Sequence, residues 1–340
     1  MKVMLKRTLL MSLLVLALIG LMVIGVGAEA MTGTYADDAA AVEAGAVAKI
    51  AVDGGDTTYY ATLADAIADA TADTVVTLIA DITDLGEPVK RNSTYCYIYV
   101  AEDKNFTLDL NDCKIAVADP GVSSNGDFAV VYVKGALTIQ DSGATQSGAI
   151  TVTTVTTLHT SNSSVIENRG GSLTIKSGTI EHKGFNGSAL GTFAIHNNTN
   201  SFGDSSLSIS GGNVIASEGS AIRLTTTSPV EAGSGSTYFL MTGGSVVGQE
   251  TGIWLMPANN RSDVEAIVSI SGGTVTAEVD AFYTNFCTVD TNLSTTISGG
   301  TFNGTVQGKD GEIAITGGSF NGEVIIKDGN KVPEIGRAHV

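Results

Sequence analysis

The sequence predicts an all-β fold: a right-handed parallel β-helix with a short N-terminal hairpin and a capping helix. Three observations carry that prediction. An eight-residue motif recurs along most of the chain, as "LTIKSGTI", "LSISGGNV", "FLMTGGSV", "VSISGGTV", "TTISGGTF" and "IAITGGSF". Inside each copy the apolar residues alternate with small polar ones, the period of a strand with one buried face. The composition combines 41 glycines and 5 prolines with 43% hydrophobic residues, which fits a glycine-punctuated repeat protein and not a disordered chain.

Aligned on their first apolar residue, the copies start at Leu108 ("LDLNDCKI"), Leu137 ("LTIQDSGA"), Leu173, Leu207, Phe239, Val268, Thr295 and Ile313. The steps are 29, 36, 34, 32, 29, 27 and 18 residues, a range that points to a solenoid whose loops vary on a constant frame. In "VSISGGTV", Val268 and Ile270 face inward, Gly272-Gly273 permits a corner, and Val275 faces inward again. A second short strand follows in most units: "FAIHN", "SAIRL", "TGIWL", "DAFYT". Coils stacked about 4.8 Å apart pair each strand with the one above, and roughly seven to eight of them make a rod of roughly 35 Å. A β-propeller would need longer antiparallel strands with hairpin turns, and few such signals occur.

The remaining segments follow in chain order. Residues 1–30 read as a secretory signal peptide: Lys2, Lys6 and Arg7, then an unbroken apolar run, then the small-x-small site at Ala28–Ala30. The run is long enough that a retained anchor is the rival; cleavage leaves no stable membrane insertion. Residues 31–46, Ala-rich and acidic, read as a flexible leader. Residues 47–72 hold a β-hairpin turning near Asp53–Asp56 and a helix, "TLADAIADA", with Leu63, Ala66, Ile67 and Ala70 on one face and Thr62 as its cap. That helix is suited to covering the first coil, whose core and strand edges would otherwise be open. Residues 73–333 form the β-helix. Glu334–Val340 matches the translation of a common sequencing adapter letter for letter, so Arg337 and His339 are set aside and the natural chain is expected to continue.

The series "YYATLADAIADATADTVVTLIADIT", "FTLDLNDCKI" and the "SISGGTV" repeats resembles secreted bacterial pectin-lyase-like β-helix proteins of the repetitive surface or adhesin type, over roughly residues 47–333. The resemblance implies a secreted or cell-surface protein, extracellular or attached to the cell wall; host or cell-wall polysaccharide is the partner expected from the side-chain column described below. It is specific for architecture. Lyases, glycoside hydrolases, adhesins and tailspikes all use this fold.

Charge and motif narrow the function. The net charge is -17, and without residues 1–30 and 334–340 the chain carries 14 basic against 33 acidic residues. Such a chain repels phosphate backbones, so no nucleic acid is expected as a partner. The family's enzymes use an acidic Ca²⁺ cluster with a catalytic Arg, or paired Asp with a Gly-His-Gly segment. The histidines here sit in "LHT", "EHK", "IHN" and the tail, and no catalytic residue is assigned. Asp109 and Asp112 are the candidate cation ligands. Ca²⁺ is the one cofactor they could take, without support from a motif, and Asn-Asp is also ordinary turn chemistry. The three cysteines, Cys96, Cys113 and Cys287, form no disulfide framework, although the first two are near enough in sequence to meet. Threonine ranks of the ice-binding kind need a fixed coil length, which these steps lack.

The candidate ligand-binding residues are His196, Arg223, Trp254 and Tyr283. Each follows an inward Ile or Phe in a second strand, so in register they form an outward column at about 4.8 Å spacing. Aromatic faces and a guanidinium suit sugar rings, which offer an apolar face and a hydroxyl rim. A structural or adhesive rod that contacts glycans through this column is the expectation. A carbohydrate-active enzyme, lyase or hydrolase, is the alternative, which carboxylates converging with Arg or Lys in one groove would favour.

Overall fold

A computed structural model of the chain describes residues 31, 35–52, 55–120, 126–154, 162–184, 191–199, 203–226, 234–256, 265–284, 292–308 and 312–326. The expected signal peptide, the adapter-like tail and Cys287 lie outside the described residues. The fold is a parallel β-solenoid, with 61% strand and 5% helix.

Three faces wind around one core. The first face runs from the hairpin strands through Thr74–Leu78, Asn105–Asp109, Ala136–Gln140, Ser172–Ile175, Gly203–Ile209, Ser234–Met241, Glu265–Ile270, Asn292–Ile297 and Glu312–Ile315. The second stacks Lys114–Asp119, Ala149–Thr154, Thr179–Lys183, Asn213–Ala216 and Ser245–Gly248. The third stacks Thr94–Val100, Asp127–Val133, Ser163–Arg169, Thr192–Asn198, Ser220–Thr225 and Thr251–Met256. The last two merge in the long strand Thr274–Thr284, which pairs with Ser245–Gly248 at one end and Thr251–Met256 at the other.

The motif register holds from Leu137 onward. Leu137, Leu173, Leu207, Phe239, Val268, Thr295 and Ile313 pair in succession, as do Ile139, Ile175, Ile209, Met241, Ile270, Ile297 and Ile315. The alignment on Leu108 is displaced by two residues: Phe106 pairs with Leu137, and Leu108 with Ile139. Phe106, Leu108 and Leu110 are all buried, and the bend comes at Asn111 and Asp112, both at positive φ. Without a twin glycine, that unit has no sequence mark for where its strand stops.

Close approach of the preceding coil constrains both glycines of the corner, since a Cβ on Gly273 would meet the Gly243 carbonyl at 2.7 Å, and backbone angle constrains the second. Gly273 has φ +85, a conformation that side chains disfavour. Gly272 does not, but a Cβ there would run into the carbonyl of Thr242 on the preceding coil. The same two reasons recur at Gly211-Gly212, Gly243-Gly244, Gly299-Gly300 and Gly317-Gly318.

The N-terminal cover is built as expected. Ala48–Ala51 and Thr57–Tyr60 form the antiparallel hairpin, and Ala48–Ala51 also joins Thr74–Leu78. The helix Leu63–Asp69 starts at Thr62, whose Oγ1 accepts from Asp65 N at 3.2 Å, and buries Leu63, Ala66 and Ile67. Lys104 Nζ ties its far end to the first coil through the carbonyls of Ala68 (2.6 Å) and Ala70 (2.9 Å). The expected leader is partly structured. Asp37 caps a helix over Asp38–Glu43, which buries Ala41 beside Ala46 and Tyr59, while Asp38 pairs with Lys49 at 2.6 Å. Cys96 and Cys113 are free thiols, and burial pushes Cys96 up to about 12. Among the described residues no helix is long and apolar enough to cross a membrane.

Candidate functional site

The third face carries the candidate column, and its register is continuous. His196 pairs with Arg223, Arg223 with Trp254, and Trp254 with Tyr283. The column is longer than the four residues read from the sequence. Glu167 pairs with His196, Tyr132 with Glu167 and Tyr99 with Tyr132, and Gln307 continues it beyond Tyr283. Glu167 follows "VI" in "VIEN", as His196 follows "AI" in "AIHN", so the sequence carries a signal for it.

Facing away from the core does not make the whole column accessible. Tyr132 and Glu167 are 0% exposed, His196 2% and Arg223 7%, whereas Trp254, Tyr283 and Tyr99 are half-buried. For His196 the cause lies one step earlier in its own strand. Ala194 and Ile195 are consecutive residues of the core, so the strand bends there, and Phe193 is thrown to the outer side. Its ring comes within 5.5 Å of His196 and 6.4 Å of Trp254. The small residue before each inward Ile or Phe (Ala194, Ala221, Gly252, Ala281) marks this bend, and strict alternation overlooks it. A Cβ on Gly252 would press on the carbonyl of Ala281 at 2.7 Å.

The buried end is a charge network. Glu167 Oε1 accepts from Arg169 Nη2 at 2.7 Å, and its Oε2 lies 3.1 Å from His196 Nδ1. An ionised carboxylate only accepts, so His196 Nδ1 carries the proton. His196 Nε2 meets Thr225 Oγ1 at 3.2 Å. Arg169 Nη1 donates to Ser93 Oγ at 2.9 Å, and its Nη2 reaches Asp127 Oδ2 at 3.4 Å. Asn162 donates to Asp127 Oδ1 from backbone and side chain, both at 3.1 Å, and accepts from Arg223 Nη1 at 3.2 Å. Burial is the largest influence on Glu167 and works to raise it, but His196 and Arg169 together hold it down at about 2. Asp127 is raised, first by burial and then by Glu167.

The accessible end is aromatic. The Arg223 guanidinium lies 5.1 Å from the Phe193 ring centroid and 5.0 Å from that of Trp254, so it contacts both rings. Trp254 and Tyr283 stand on adjacent strands with centroids 6.5 Å apart and planes tilted by 42°. Burial lowers the Arg223 pKa, with Glu167 and Asp127 opposing. Two half-exposed rings in register, one backed by a cation, form a short platform.

Asp109 and Asp112 lie at the corner between the first and second faces. Asp109 accepts from the backbone of Asn111 (3.1 Å) and Ser142 (2.9 Å), and from Gln140 Nε2 (3.1 Å). Asp112 accepts from Thr145 and Ser147, whose backbone N–H groups hold its carboxyl down at about 2. These carboxylates stitch one bend to the next. No group of three or more potential metal ligands occurs among the described residues.

No protein-family model, no curated protein and no solved structure matches this chain.

Proposed function

We propose that the chain is a secreted or cell-surface rod of the right-handed, pectin-lyase-like kind, with a structural and adhesive role, which contacts polysaccharide through the Trp254–Tyr283 end of its outward column. The observation that carries this reading is the pair itself. The two half-buried rings are held 6.5 Å apart on neighbouring coils, and Arg223 fixes the indole from behind. Such rings offer apolar faces to a sugar with little side-chain entropy left to lose. The original four-residue ridge is narrowed accordingly. His196 and Arg223 support the platform from beneath, and Gln307 adds an amide at its far side. A bacterial cell wall or a host glycan is the class of partner proposed.

The test is a glycan array probed with the wild type and with Trp254→Ala and Tyr283→Ala. Each substitution removes a stacking surface and should weaken binding by about tenfold or more, as expected for an aromatic anchor. Unchanged binding in both variants would remove this reading.

One observation favours the enzymatic alternative. Asp127 and Glu167 converge with Arg169 and Arg223, a grouping that acid–base chemistry on a polysaccharide could use. Its burial counts against it, because Glu167 and Arg169 are 0% and 3% exposed and already paired. New reducing ends released from a polysaccharide by the wild type but not by Glu167→Gln would move the assignment to an enzyme.

A further inference from the structure

At the N-terminal end of the solenoid, the capping helix leaves a cavity of about 580 Å³ against the first coil. That volume falls within the roughly 300–1,000 Å³ of small-molecule sites. Leu63 and Ile67 of the helix form one wall, and Tyr97, Ile98 and Tyr99 of the strand Thr94–Val100 form another. The helix shows only Ala64 and Ala68, both exposed, at the mouth, so nothing bulky closes it.

Two cations, Arg91 and Lys104, are among the lining residues. The Arg91 guanidinium lies 4.8 Å from the Tyr99 ring centroid, and among the described residues no carboxylate pairs with it. Lys104 spends two of its three donors on the carbonyls of Ala68 and Ala70. Asp84 is the one carboxylate in the lining, and it is turned to the backbone of Gly86 at 2.8 Å. Arg91 and Lys104 thus line an apolar cavity in a chain of net charge -17, with Glu87, Glu102 and Asp103 near enough to act on Tyr97 and Tyr99 but outside the lining. A neutral or cationic ligand gains nothing from them. An anionic group meets a flat guanidinium fork matched to a carboxylate or sulfonate, with apolar space behind it.

We propose that this cavity binds a small amphipathic anion: a carboxylate or sulfonate paired with Arg91, carried on an apolar body of aromatic-ring or short-alkyl size between Ile67 and Tyr97. This site is separate from the Trp254–Tyr283 platform, and neither depends on the other.

Fluorescence titration with 8-anilinonaphthalene-1-sulfonate on the full chain tests it. Saturable binding at one site is expected. Arg91→Gln should weaken that binding by roughly tenfold, the loss of one charge-assisted contact, and Ala64→Trp should abolish it by filling the mouth. Octanoate should displace the probe, whereas octanol should need roughly tenfold more. Both positions are exposed, so circular dichroism should show both variants folded; if Ala64→Trp is not, Arg91→Gln and the octanoate–octanol pair decide. Probe affinity unchanged in Arg91→Gln, or equal displacement by octanoate and octanol, overturns the proposal. So does probe binding that falls as protein concentration rises, which would put a second copy of the chain in the groove. Binding that appears only after residues 1–30 are deleted would put that segment there and overturns it too.

Discussion

His182 has no exposed surface, and its Nε2 lies 3.0 Å from Ser163 Oγ, which in turn donates to Asp119 at 2.8 Å. Burial pushes its pKa down to about 4, with the Gly184 backbone opposing. The folded state therefore resists protonation while the unfolded chain takes it up near 6.5. Stability is complete above about pH 6.5 and falls between 6.5 and 4 by on the order of 3 kcal/mol, then stops changing on this account. Urea unfolding across that window should show the slope in wild type and a flatter curve in His182→Gln. Glu167 acts in a different window. Its carboxyl is held at about 2, so its contribution is present above about 4.5 and lost as pH falls towards 2. Glu167→Gln leaves Arg169 buried with a weaker partner and should cost about 3–5 kcal/mol in urea unfolding. Adding Arg169→Met should cost less than the sum of the two single changes, because the two side chains share one interaction. Additive costs would mean that the ion pair is not the stabilising unit.

At the scale of the element, the corner is where coils are held in register. Gly273→Ala places a side chain at φ +85, a strain of about 1–2 kcal/mol. Gly272→Ala meets no such strain, yet its Cβ must push away the Thr242 carbonyl of the neighbouring coil. Both should lower the unfolding midpoint. Gly272→Ala should also speed hydrogen exchange at Ser271, whose N–H bonds to Met241 O at 2.8 Å across the same seam, and Gly273→Ala, whose Cβ meets the Gly243 carbonyl, at Thr274, whose N–H bonds to Gly244 O at 3.0 Å. These corners were legible because glycine is the residue both constraints demand. The corner at Asn111-Asp112 was not, since those residue types suit a bend anywhere and the alternation of Phe106, Leu108 and Leu110 runs straight up to it. The outer bend at Ala194-Ile195 hid for a related reason: two adjacent inward residues look like ordinary alternation with one small member. The helix Asp38–Glu43 passed for a leader because alanine-rich acidic sequence reads the same whether or not Tyr59 is there to cover it.

Across the whole molecule, the repeat specified the solenoid because each coil's buried face contacts only its neighbours, so local pattern and global fold coincide. Burial of the outer column was different. It depends on Phe193, placed on the outer side by the bend at Ala194-Ile195, and on Asp127 and Asn162, which meet Arg169 and Arg223 only after the coils stack. One face thus divides along the rod axis into a charged, buried section around Glu167 and an aromatic, accessible section at Trp254 and Tyr283. The first holds the coils and the second is available to a partner. Trp254 is the chain's single tryptophan, so its emission reports on that accessible section alone. The most direct measurement is that emission titrated with bacterial cell-wall and host polysaccharides. At least one of them should shift it saturably, and Tyr283→Ala should abolish the shift without moving the unfolding midpoint by more than a few degrees. No response to any polysaccharide, or a response that survives Tyr283→Ala unchanged, would contradict the division of the column into a supporting end and a binding end.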